Sequence, residues 1–275
     1  MPQTNAPREI RIDMDGTYMN VIRFGSGEKA LAVISGVSLC GLEGMAEQVA
    51  AAYSMFADRF TVYLFDRKKV LPPHYTTRAM AEDVYRALTY LGVSRAGVYG
   101  VSHGGMIAQC LAAAHPELVA RLALCSTLPK TGDTMKAIAD RWVDLASKGD
   151  VVALNRFTFD IVYSQRYLDA ARELLPALEK QGTKADCDRF AVLAEACGCF
   201  DIGGDLDKIA RPALVLGDEN DRVLGIEGTR ELARRLHTEP VIYSDYSHAV
   251  YDEAEDVKAR VFAFMSADDG KRGSV

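Results

Sequence analysis

Gly100-Val101-Ser102-His103-Gly104 sets a hydroxyl between two glycines, and the chain carries five histidines that could serve it. A serine hydroxyl is a weak nucleophile until a base takes its proton. The base, in turn, works best when a carboxylate orients it. With 22 glycines in 275 residues the bare spacing can arise by chance, so its surroundings decide its meaning. It falls between a β-rich run at 96–101 and a stretch of helical periodicity at 104–115. A serine there occupies a sharp strand-to-helix turn. Flanking glycines remove side chains that would clash, and the helix N-terminus aims amide dipoles at any anion forming beside the hydroxyl.

Of the histidines, His115 ends a helix, where a partly charged ring is favourable. His74 follows Pro72-Pro73 in a loop, and His237 closes another helix. His103 adjoins the serine but must point away from it on so tight a turn. His248, in Tyr246-Ser247-His248-Ala249, follows the last strand and precedes the final helix. That places it at the carboxyl edge of a sheet, where open α/β folds build their sites. For the orienting carboxylate, the acidic loop after Leu214-Val215-Leu216-Gly217 offers Asp221 first and Asp218 second, with Asp133 a third candidate.

These groups need a scaffold that brings strand ends together. Asp15-Gly16 between β-rich runs at 9–14 and 18–24 predicts a hairpin. Strand-length apolar runs at 30–35, 60–65, 96–101, 119–126, 213–216 and 241–244 then alternate with helical periodicity at 43–57, 77–91, 104–115, 228–236 and 249–265. Such alternation predicts a mostly parallel sheet covered by helices on both faces. Between about Pro129 and Gly204 the pattern is helical only: 134–148, 151–163, 165–180 and 184–197. The expected organisation is a core at 1–128, an inserted helical cap at 129–203 and a second core part at 204–275. The ends, including the polar tail 267–275, are expected to fray.

Composition narrows the function classes. Forty-nine per cent apolar and 25% charged residues suit a globular domain, and a net charge of −6 argues against non-specific nucleic-acid binding. No apolar run is long enough for a membrane span, and the N-terminal residues lack the apolar core of a secretory signal, so a cytoplasmic location is expected. Six cysteines, several inside apolar runs, fit reduced thiols. Cys197-Gly198-Cys199 is spaced too tightly for a usual zinc pair, so no metal or cofactor is expected.

Taken together, the hairpin, the glycine-framed serine, the inserted helices and the order Ser102, Asp221, His248 resemble the α/β-hydrolase superfamily. The resemblance spans most of the chain and implies an eight-stranded sheet. By it, Ser102 is the nucleophile, His248 the general base and then acid, and Asp221 its orienter. The backbone amides of His103 and Val37 would form the oxyanion hole. The family commonly has His-Gly before that second amide, where this chain has Ser35-Gly36. Relatives also often continue into a glycine-rich loop where this chain reads Asp66-Arg67-Lys68-Lys69, and Asp221 lies one residue further past Gly217 than usual. The implied activity is hydrolysis of a small-molecule ester, thioester or lactone through an acyl-enzyme, by a monomer or homodimer. Carbon–carbon bond hydrolases, cofactor-free haloperoxidases and non-catalytic small-molecule binders share the same framework. The cap aromatics and methionine Trp142, Phe157, Phe159 and Met135 are expected to contact the substrate.

Overall fold

In the computed structural model, which describes residues 6–267, one eight-stranded sheet organises the chain. β1 (Arg8–Met14) and β2 (Thr17–Phe24) form the expected hairpin. Its two turn residues, Asp15 and Gly16, both have positive φ, the backbone hand that matches strand twist. β3 (Lys29–Ile34), α1 (Ala46–Ala52), β4 (Phe60–Lys68), α2 (Thr77–Tyr90), β5 (Ala96–Val101), α3 (His103–Ala114) and β6 (Val119–Cys125) follow. Five helices then intervene: α4 (Asp133–Ser147), α5 (Val151–Val162), α6 (Gln165–Ala170), α7 (Leu175–Leu178) and α8 (Lys184–Gly198). The sheet resumes with β7 (Ala213–Asp218), α9 (Ile226–Arg235), β8 (Val241–Tyr243), α10 (Val250–Glu253) and α11 (Glu255–Ser266).

Strand order is β1-β2-β4-β3-β5-β6-β7-β8, antiparallel through the hairpin and onto β4, and parallel from there. Alternation along each strand feeds two cores. Ala32 and Ile34 of β3 face Met80, Val84 and Met106 of α2 and α3, while Leu31 and Val33 face Val49 of α1 and Val257 and Val261 of α11. All β3 side chains from Leu31 to Ile34 are therefore buried, as a strand covered on both faces requires.

Several expected boundaries move, for identifiable reasons. β4 runs three residues past 65 because its charged end is neutralised: Lys68 pairs with buried Asp83 at 2.9 Å and with Asp15 at 3.0 Å. The helix expected over 43–57 shortens to α1 plus a turn of 3₁₀ helix. Carboxylates reach into its start, Asp66 accepting from the Leu42 amide at 2.9 Å and Glu9 from the Gly44 amide at 2.7 Å. The helix expected over 165–180 splits into α6 and α7, and Pro176, which has no amide proton, sits at the second position of α7. The one expected over 249–265 breaks at Ala254, which is extended. The loose ends expected at both termini fall largely outside the described residues.

The chain leaves the sheet for the inserted helices and returns by one neck. Lys130 and Asp201 form an antiparallel bridge, flanked by bonds from the Thr131 amide to the Phe200 carbonyl at 2.8 Å and from the Ile202 amide to the Pro129 carbonyl at 3.0 Å. Cys197 and Cys199, two apart near the end of α8, fall one inside and one outside the fold. Among the described residues no helix is long and apolar enough to cross a membrane.

The contact that positions the site lies between α3 and β3. A Cβ at Gly104 would stand 2.0 Å from the Ile34 carbonyl oxygen and 2.5 Å from that of Ser35. Gly104→Ala should therefore destabilise by about 3 kcal/mol, the upper end of overpacking costs. Thermal unfolding measures this, and an unchanged Tm would show that the backbone can part there freely.

Candidate active site

Ser102 closes β5 and caps α3 in a backbone conformation that side-chain-bearing residues rarely adopt, φ 54° and ψ −124°. Three bonds fix it: its amide donates to the Cys125 carbonyl at 2.9 Å, and its carbonyl accepts from Gly105 at 2.8 Å and Met106 at 3.2 Å. The strand ladder thus extends into the turn from one side and the helix begins from the other, leaving the side chain proud of the sheet edge.

His248 meets that side chain. Its Nε2 lies 2.9 Å from Ser102 Oγ, and its Nδ1 lies 2.9 Å from Asp221 Oδ2. A carboxylate opposite Nδ1 holds the ring proton there and leaves Nε2 free to accept from the hydroxyl. Both His248 and Asp221 are almost wholly buried, so water competes little with either bond. The other Asp221 oxygen accepts from the Val223 amide at 2.8 Å and the Leu224 amide at 2.9 Å.

Asp218 does different work. Its two oxygens accept from the Asn220 amide at 2.7 Å and the Tyr246 amide at 3.0 Å, which sews the acidic loop to the loop that carries His248. Burial raises its pKa, as expected for a carboxylate without a cationic partner. Asp133 begins α4 at an exposed position. Two other histidines are occupied elsewhere. His115 stacks on Tyr85 with ring centroids 3.6 Å apart and contacts Glu82 at 2.8 Å. His103 points its Nε2 at the Thr77 hydroxyl, 3.4 Å away and inside the core.

The loop after β3 packs against the nucleophile. A Cβ at Gly36 would lie 3.3 Å from that of Ser102, so a side chain there would press on the serine. Val37 follows, and the His103 amide is the first of the α3 amides that have no acceptor within the helix. A cavity of about 170 Å³ opens over Ser102 and His248, walled by residues 36–39 and by Trp142, Leu154, Phe159 and Phe190 of the inserted helices. No Asp, Glu, Lys or Arg is among its lining residues. A larger hollow of about 330 Å³ between the start of α2 and the end of α8 shares no residue with it.

Of the four side chains expected to contact substrate, Trp142 and Phe159 line this cavity and Met135 and Phe157 do not. Met135 is buried in the core, and Phe157 packs half-buried against it. Sequence reasoning passed over Tyr251, one turn after His248, which lines the cavity too. It also passed over Ser126, a fully buried residue of positive φ at the end of β6, whose hydroxyl donates to the His248 carbonyl at 2.7 Å. The positive φ of a non-glycine residue beside a strand end is visible only in the fold.

Comparison with known proteins bears on the whole framework. A model of the alpha/beta hydrolase fold family matches residues 51–150. The chain is 26% identical over 231 residues to a protein of Caulobacter sp. (strain K31) that carries the provisional name carbamate hydrolase RutD, covering 81% of this chain and 85% of that protein. It is 21% identical over 228 residues to 3-oxoadipate enol-lactonase 2 of Acinetobacter baylyi, covering 79% and 81%. Among solved structures, the enol-lactonase from Burkholderia xenovorans LB400 superposes with a TM-score of 0.83 over 94% of this chain and 100% of that one, at 22% identity. The match to the family model and the superposition on solved structures agree with the observed sheet in giving the chain an α/β-hydrolase fold.

Proposed function

We propose that this protein is a serine hydrolase that cleaves an ester, thioester or lactone bearing a small uncharged acyl group. One observation carries the reading: a serine on a strained turn, a histidine and a carboxylate stand in series at 2.9 Å and 2.9 Å, with the serine opening into a cavity. In this mechanism Ser102 Oγ attacks the carbonyl carbon as its proton passes to His248 Nε2. Negative charge collects on the carbonyl oxygen, facing the amides of His103 and Val37. His248 then returns the proton to the departing alkoxide or thiolate, and water repeats the sequence to release the acid. Asp221 holds the imidazole in the tautomer that can accept and stabilises the imidazolium that forms.

The inserted helices, residues 129–203, act in this reading as a cap over a core made of 1–128 and 204–275. Trp142 and Phe159 bound the acyl pocket. A volume near 170 Å³ suits a short chain, and a lining without cations offers nothing to an acyl group that bears a carboxylate. The relatives named carbamate hydrolase and enol-lactonase support hydrolysis at a carbonyl.

Ser102→Ala should abolish hydrolysis of p-nitrophenyl acetate and butyrate and block labelling by a fluorophosphonate, with Tm nearly unchanged. Activity persisting in that variant would refute the nucleophile, and a wild-type serine that never labels would favour a binding protein. A panel that adds vinylogous diketones tests whether carbon–carbon bonds are cleaved instead.

The two aspartates should separate cleanly. Asp221→Asn presents an amide to Nδ1, reverses the tautomer and lowers kcat by about 10³–10⁴. Asp218→Asn leaves one backbone amide unpaired at a cost of about 1–3 kcal/mol in stability, while kcat falls far less. Equal losses of kcat in both would mean that the pair orients the histidine jointly.

Across an acyl series from acetate to decanoate, kcat/KM should peak at short chains, and Trp142→Ala should move the peak to longer ones. A flat profile in the wild type would remove the pocket assignment.

A further inference from the structure

The loop that carries Val37 is gripped from behind by a buried arginine. Arg67 stands next to last in β4, the parallel neighbour of β3, and reaches across to the residue that follows β3. Its Nη2 donates to the Ser35 carbonyl at 2.7 Å, and its Nη1 to the Ser35 hydroxyl at 3.3 Å. That same carbonyl oxygen is the one a methyl group at Gly104 would approach to 2.5 Å. Ser35 is thus held between the guanidinium and the first turn of α3, one residue before the glycine that packs on Ser102.

Arg67 is itself immobilised. Its amide donates to Asp66 Oδ1 at 2.7 Å, and Asp66 also takes Arg189 of α8 at 2.9 Å and the Leu42 amide at 2.9 Å. The side chain is buried and its Nε has no partner. Burial lowers its pKa, and a guanidinium still remains charged at neutral pH. The charge is felt beside the nucleophile: burial first, and Arg67 second, hold the His103 imidazole well below its ordinary pKa. Keeping a cation with an unpaired donor in the core is costly. A neutral side chain of similar size could fill the same space, so packing alone does not explain a guanidinium here.

We propose that Arg67 is a positioning residue for the oxyanion hole. By locking the Ser35 carbonyl it fixes the Gly36–Val37 peptide, whose amide faces the substrate oxygen, and it places a positive charge behind that peptide as the oxyanion forms. The inference rests on the serine-hydrolase reading. It also gives a physical role to the serine found where a His-Gly pair is common: Ser35 supplies both oxygens that the guanidinium binds.

The test compares Arg67→Gln and Arg67→Lys with wild type in three measurements. These are kcat and KM on p-nitrophenyl butyrate, the rate of phosphonylation of Ser102 by a fluorophosphonate, and inhibition by a trifluoromethyl ketone. The ketone carbon accepts Ser102 Oγ while the proton passes to His248, giving an anionic hemiketal seated in the oxyanion hole. Arg67→Gln should lose about 10²-fold in kcat, the scale of one oxyanion donor, with KM little changed and ketone affinity falling in parallel. Arg67→Lys keeps the charge but cannot hold both Ser35 oxygens in one fixed geometry, and should lose about tenfold. If Arg67→Gln fails to fold, Arg67→Lys decides. Wild-type kcat and ketone affinity in a folded variant, or a loss confined to Tm or KM, overturns the proposal. A wild-type Ser102 that resists phosphonylation overturns the serine-hydrolase reading itself, which is a separate result.

Discussion

Helix α3 comes so close to the end of β3 that no side chain, not even a methyl group, can stand between them at Gly104. This approach sets the rest of the site. It aims the α3 amides over the carboxyl edge of the sheet, and it forces Ser102 into φ 54° so that chain direction can reverse within one residue. The strain is tolerable because both flanks are already committed: the Ser102 amide continues the β5–β6 ladder and its carbonyl starts the helix. The same contact packs the loop after β3 against Ser102, and a Cβ at Gly36 would stand 3.3 Å from that of the serine. Ser102 and the Gly36–Val37 loop are therefore positioned by a single backbone approach.

The histidine and acid reach the nucleophile from the other half of the sheet, and there the inserted helices take part. The Val162 carbonyl at the end of α5 accepts from the Ala249 amide at 2.9 Å, one residue after His248. The Tyr163 carbonyl accepts from Arg222 at 2.6 Å, one residue after Asp221. Glu253 accepts from both the amide and the hydroxyl of Ser164, the residue that caps α6. Three consecutive residues of the insertion are thus strapped to the loops that carry His248 and Asp221 and to α10 that follows them. Displacing α5 would pull on both loops, so the walls of the cavity and the alignment of the imidazole are mechanically linked.

Much of this was legible in the sequence, and the physical reason differs from residue to residue. Ser102 and His248 could be read because each follows a strand and precedes a helix, a place that a period change in hydrophobicity marks directly. Asp221 and Asp218 are harder to separate, since both belong to the acidic segment where the chain leaves β7. What separates them is that Asp221 meets His248 Nδ1 while Asp218 takes the Asn220 and Tyr246 amides, and no spacing rule encodes that. The pocket residues fared worse. Met135 and Trp142 are seven apart on α4 and share its buried stripe, yet only Trp142 reaches the cavity. Periodicity says which face is covered but not by what. On α5, Phe157 and Phe159 are two apart and so point to different sides, and one of them had to miss. Arg67 was the least legible, because its partner lies 32 residues away and the stronger of its two bonds goes to a backbone carbonyl.

The placement of charge follows from these constraints. Three formal charges near the site lie behind backbone or behind His248: Arg67 beneath the Ser35–Val37 loop, Asp221 beyond the imidazole, Asp218 between two loops. The cavity wall is left with aromatic rings, aliphatic groups and neutral hydroxyl and amide dipoles. A substrate entering it meets no ion that would bind its ground state strongly. In the proposed serine-hydrolase mechanism the buried charges act once electrons move, when negative charge appears on the carbonyl oxygen and positive charge on the imidazole. Interactions that strengthen only then lower the barrier without deepening the well before it. In the proposed mechanism, discrimination among substrates falls accordingly to shape, through Trp142, Phe159 and Phe190, which all come from the helices inserted between β6 and β7.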